Sequence, residues 1–287
     1  MAHRDKLITD IQRLLKTQDF KSEEEAEKFI NSLIGSPVPS FEKEALSPEE
    51  QAEDLVFEAW ECPFEEGLEK VFLALSLDPD SILAYEFLAA HQDEIHLSIP
   101  FYAYGVEIGR RIFSGAFLDE HKGYFWGAVE TRPFLRCMHQ YAACLYAVGK
   151  TELSFSLYNE ILELNPEDNQ GVRNEYQLYL LESGNYQKFE EISTAYNTDS
   201  SAFASFNRVL YSFIKEGDSH QTQGLLKSAK QQNKFVTAKL LSPKPPQGIP
   251  DSHSHGSKEE AIHYVSFAWD IWHETDKAIA WLRKSCK

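Results

Sequence analysis

LRCMHQYAACLYAVGKTELSFSLYNEILELNP, residues 135–166, carries two helical stripes separated by one glycine. Leu135, Met138, Ala142 and Leu145 recur at three- and four-residue spacing, which gathers them on one face of a helix. Gly149 marks a stop, and Ser154, Tyr158, Ile161 and Leu164 then repeat the spacing up to Pro166. The pattern implies two helices joined by a tight turn. Small residues at Ala142 and Ser154 let the backbones cross closely, while the large residues beside them fill the space around the crossing.

Counted back from Asn165-Pro166, the stretch resembles a tetratricopeptide repeat, a helical hairpin of 34 residues. Ala142 takes the small position of the first helix and Gly149 the turn. Ile161 stands where that family prefers Ala, and Met138 replaces its usual Trp. Gly149 recurs as Gly184 and Gly217, each about one repeat length on, so hairpins are expected at about 135–168, 170–200 and 203–233. The later two are degenerate, with Gln177 and Leu210 at the small position. An earlier unit is expected at about 48–79, with Gly67 and Ala74 as its small residues. Pro79 and Pro166 are not separated by a multiple of 34, which implies an insertion at about 100–133.

Outward from this array, helices are expected on both sides. Leu7, Ile8, Ile11, Leu14 and Leu15 form one amphipathic stripe and Ala26, Phe29, Ile30, Leu33 and Ile34 a second, an N-terminal helical pair over 1–35. Ser22 and Glu25 have the spacing of a capping box, as do Ser47 and Glu50 around Pro48. Pro37 and Pro39 make 36–46 a linker, so the repeat array spans 47–241. Pro243, Pro245, Pro246 and Pro250 make 242–257 a loop. Ser257 and Glu260 then open a C-terminal helical cap over 258–287. The fold class expected is all-α, a helical-hairpin solenoid.

The formal net charge of −17, from 28 Lys and Arg against 45 Asp and Glu, repels nucleic acid and anionic membrane surfaces. No apolar run approaches a bilayer span, and a cytoplasmic protein is expected. Cys62, Cys137, Cys144 and Cys286 form no metal-ligand spacing, and no disulfide or cofactor is implied. His253 and His255 with Asp251, and His91 with His96, read as polar loop and surface residues, so no metal site is expected.

Three phrases, at 125–134, 164–173 and 259–265, resemble those of a bacterial tetratricopeptide family of unassigned role, itself distantly similar to the suppressor of tumorigenicity 7 family of eukaryotes. The resemblance covers most of 47–285, implies the repeat fold and supplies no catalytic residue. In such repeats the inner face of each first helix lines a groove. Carried over position by position, that face is Arg136, His139 and Tyr146, then Asn174 and Glu175, then Asn207, Arg208 and Tyr211, with Arg132 at the helix start. These residues suit the backbone or carboxylate of a protein segment, so a peptide-binding scaffold is expected. Two alternatives stay open: an enzyme or effector with a site near Glu130, Arg132 and His139, and a homo-oligomer joined through aromatic faces.

Overall fold

The computed structural model describes residues 2–33, 35, 41 and 45–285, and the side chains of all of these except 2–4 and 23. Most of the expected linker 36–46, Ile34 and Cys286 lie outside the described residues. Among the described residues there are sixteen α-helices and no strand. They form two compact units, 1–169 and 170–287, a division that falls between the helical pairs expected at 135–168 and 170–200.

The first unit holds α1 (Ala2–Lys16), α2 (Glu23–Leu33), α3 (Pro48–Ala59), α4 (Phe64–Leu77), α5 (Ile82–Ala90), α6 (Ile95–Ile112), α7 (Ala116–His121), α8 (Arg132–Ala147) and α9 (Thr151–Leu164). Consecutive helices pair as α3 with α4, α5 with α6 and α8 with α9, while α5 also touches α3 and α8. The capping box at α3 is complete: Glu50 N–H donates to Ser47 Oγ at 3.2 Å, and Ser47 N–H to Glu50 Oε2 at 2.9 Å. Gly67 is required where α4 crosses α3, since a Cβ there would stand 2.7 Å from the Ala59 carbonyl oxygen. In the pair α8–α9 the expected close crossing is present, with Ser154 Oγ donating to the Ala142 carbonyl at 2.8 Å.

Residues 100–133, expected as an insertion, divide differently. Their first part completes α6, which runs through Pro100 and pairs with α5. The remainder is α7 and two 3-10 turns, Phe125–Gly127 and Val129–Thr131, that lead into α8. Thr131 Oγ1 ties these turns by donating to the Phe125 and Ala128 carbonyls.

The second unit holds α10 (Val172–Glu182), α11 (Tyr186–Ala195), α12 (Ala202–Glu216), α13 (His220–Gln232), α14 (Val236–Leu240), α15 (Lys258–Glu274) and α16 (Ala278–Ser285). Helix α15, expected as part of a terminal cap, packs on α10, α12, α14 and α16 and buries Tyr264 and Trp272 completely. Glu260 on α15 explains this central position. Its buried carboxylate accepts from Ala202 N–H at 2.9 Å, Asn233 Nδ2 at 2.9 Å and Gly256 N–H at 2.7 Å. One side chain thereby fixes the start of α12, the end of α13 and the loop before α15.

Candidate functional site

Of the residues expected to line a groove, Arg132, Arg136, His139 and Tyr146 fall in the first unit and Asn174, Glu175, Asn207, Arg208 and Tyr211 in the second. In the second unit Asn207, Arg208 and Tyr211 are engaged within the fold. Asn207 is fully buried, with Nδ2 3.4 Å from Gln177 Oε1 and Oδ1 without a hydrogen bond. Arg208 donates to the carbonyls of Tyr196 and Asp199 at 3.2 and 3.1 Å and to Ser193 Oγ at 3.2 Å, closing the free C-terminal end of α11. Burial, partly offset by Asp199, draws the Arg208 pKa down. Asn174 is half-buried in the first turn of α10. Tyr211 packs on Phe189 and Tyr186 and donates to Glu190; burial and that hydrogen bond push its hydroxyl up to about 12.

In the first unit the picture changes along α8. His139 sets its ring against Tyr158 and Tyr146 stacks on Phe155, so both lean towards α9. Arg132 and Arg136, one turn apart at the start of α8, meet a different helix. Asp5 of α1 accepts from Arg132 Nη1 at 3.2 Å through Oδ1 and from Arg136 Nη1 through Oδ2. Arg136 also grips Glu86 of α5 with two parallel bonds, Nε to Oε1 at 2.6 Å and Nη2 to Oε2 at 2.8 Å. Burial opposes the charge on Arg136, yet Glu86 and Asp5 more than compensate and its pKa rises. Burial pushes the Glu86 carboxyl up while Arg136 draws it back; the two-pronged geometry favours the charged pair. Arg132 is further held by the Trp126 carbonyl at 3.1 Å, with its guanidinium over the Trp126 ring at 5.2 Å.

A second cluster lies two turns along α1. Arg13, only 4% exposed, donates to Asp54 Oδ1 and Glu53 Oε2, each at 2.8 Å, and to the Glu50 carbonyl at 3.0 Å. Burial again opposes the charge, and Asp54 and Glu53 raise the Arg13 pKa in spite of it. Lys6 bridges Asp10 and Asp54, both at 3.2 Å. Between α1 and the body of the unit runs a cleft of about 400 Å³, floored by Phe57, Leu83, Val129 and Pro133, with Glu130 also on its wall. No ion pair joins Glu130 to Arg132 among the described residues.

The sequence pattern singles out Arg132 and Arg136 and misses Asp5, Arg13, Glu86 and the acidic residues of α3. Glu86 does leave a signal. It is the one charged residue in the nine-residue helix ILAYEFLAA, and a lone charge in an apolar helix needs a partner of opposite sign.

The histidines of the 242–257 loop also find a partner unmarked in sequence: His253 Nε2 lies 2.9 Å from His263 Nδ1 on α15, while His255 contacts Ser200. Among the described residues no group of three or more His, Cys, Asp or Glu is placed to hold a metal ion. No described helix is long and apolar enough to cross a membrane. Comparison with models of protein families, with curated proteins and with solved structures finds no match to this chain.

Proposed function

We propose that the protein is a scaffold of tetratricopeptide-type helical pairs that binds a segment of another polypeptide, and that the first unit carries the binding surface. One observation supports this above the others. The face presented by α3 and the start of α8 already holds a helix, α1, through discrete side-chain ion pairs. A surface that seats one helix by discrete contacts has the chemistry to seat another.

The enzyme alternative has less to stand on. Arg132 is engaged by Asp5 and Trp126, and His139, two turns further along α8, sets its ring against Tyr158. Selection of a random peptide-display library on the immobilised full chain tests the reading. It should enrich sequences that compete for one surface and that lose about tenfold or more in affinity on Arg132→Ser, the loss of one charged hydrogen-bonding partner. A library that yields no mutually competing sequences overturns it.

A further inference from the structure

We propose that the face formed by α3 and the start of α8 is a docking surface for a partner helix of bipolar charge, with α1 as the chain's own weaker occupant. The inference rests on the scaffold reading and specifies its partner: an acidic residue, a basic residue two turns later, and large apolar residues between them.

The charges supply the first argument. Asp5 meets Arg132 and Arg136, and Arg13 meets Glu53 and Asp54, so the surface is basic at one end and acidic at the other. Eight residues separate Asp5 from Arg13, about 12 Å along a helix. Any helix with this spacing and order of sign satisfies the same groups, and a reversed one places like charges together.

Burial supplies the second. An amphipathic helix that belongs to a core buries its apolar stripe. On α1 the buried residues among those described are Asp5 and Arg13, whereas Ile8, Ile11, Leu14 and Leu15 are half-buried and Leu7 is 46% exposed. The helix is anchored by its two buried charges, and part of its apolar stripe stays in water.

The cleft supplies the third. Thr9 and Gln12 of α1 line it opposite Phe57, Leu83, Val129 and Pro133. These two polar side chains share an unfilled space of about 400 Å³ with those apolar residues and with charged ones, Lys16, Glu49 and Glu53 among them. Leucine at both positions would bury apolar area that α1 leaves in water, which is how a partner helix outcompetes it.

Fluorescence anisotropy with labelled synthetic peptides and the full chain tests this. The probes are residues 2–20, the same peptide with T9L and Q12L, and that leucine peptide with D5K and R13E. The leucine peptide should bind the wild-type chain about tenfold tighter than the native one, and charge reversal should weaken it about a hundredfold. A full chain with D5K and R13E in its own α1 should bind the native peptide about tenfold tighter than wild type, because the tethered competitor, at an effective concentration on the order of millimolar, is gone. Equal binding of the leucine peptide and its charge-reversed form overturns the inference and leaves the scaffold reading standing. Equal affinity of the two chains for the native peptide also overturns it. Failure of all peptides to bind either chain overturns the inference as well.

Discussion

Arg136 shows how far a single side chain can be from the role its position implies. From the sequence it is expected to line a groove, but the guanidinium is spent on Glu86 and Asp5. With side chains only 11% and 13% exposed, Arg136 and Glu86 are a nearly buried pair, and removing one partner strands the other's charge. Arg136→Met should therefore cost about 3–5 kcal/mol in denaturant unfolding, whereas Arg136→Met with Glu86→Leu should recover most of that loss. A double substitution as damaging as the single one would show that the pair is a net stabiliser.

Asp199 belongs to a part-buried ion pair of the second unit. It accepts from Arg173 Nη2 and from Ser201 N–H, each at 2.8 Å. Burial alone would raise its pKa, but these hydrogen bonds and the Arg173 charge lower it from 3.8. A carboxylate depressed in the folded state contributes stability that is complete above 3.8 and is lost as pH falls through the lower folded value. Asp199→Asn should thus destabilise at pH 7, with the difference from wild type shrinking below about pH 4. A constant difference from pH 7 to pH 2 would refute the linkage.

The turns between paired helices separate what is legible in sequence from what is not. Gly149, Gly184 and Gly217 are recognisable by their spacing, and each has a positive φ, of 76°, 74° and 66°. The first two close α8 and α10 alike: Gly149 N–H returns to Tyr146 and Lys150 N–H to Leu145, Gly184 N–H to Leu181 and Asn185 N–H to Leu180. This is the Schellman arrangement, whose left-handed residue asparagine also tolerates. Gly217 ends α12 differently, at ψ −142°, a region almost confined to glycine. Gly149→Asn and Gly184→Asn should each cost below about 1 kcal/mol and Gly217→Asn about 1–3 kcal/mol, read as shifts in denaturant midpoint. Spacing reveals where a glycine recurs; the ψ that distinguishes these turns is set by the direction the chain must take into the next helix. The same limit applies to Glu260. Its spacing from Ser257 announces a capping box, and Glu260 N–H does donate to Ser257 Oγ at 3.0 Å, but the carboxylate reaches Ala202 and Asn233, 58 and 27 residues away.

The pairing of helices within each unit is open to sequence because it is local: a stripe, a glycine, a second stripe. The seating of α1 is not, because Asp5 finds Arg132 across 127 residues and no periodicity encodes such a meeting. The stripe of Leu7, Ile8, Ile11, Leu14 and Leu15 implies burial of that face; four of these residues are partly buried and Leu7 faces water, while the buried side chains are Asp5 and Arg13. In a chain of net charge −17, Arg13, Arg132 and Arg136 each lie among carboxylates, so their ion pairs also relieve part of the acidic self-repulsion. A helix held by discrete ion pairs, with its apolar stripe only partly buried, should open without the rest of its unit. Native-state hydrogen exchange should give α1 amides an opening free energy well below that of α8, whose Leu135 and Met138 are fully buried. Raising salt from about 0.05 to 1 M should lower α1 protection further, because ion pairs that still touch water are screened, while leaving α8 nearly unchanged. Exchange of α1 and α8 amides at one common free energy would mean that the helix is part of the unit's core and not a displaceable guest upon it.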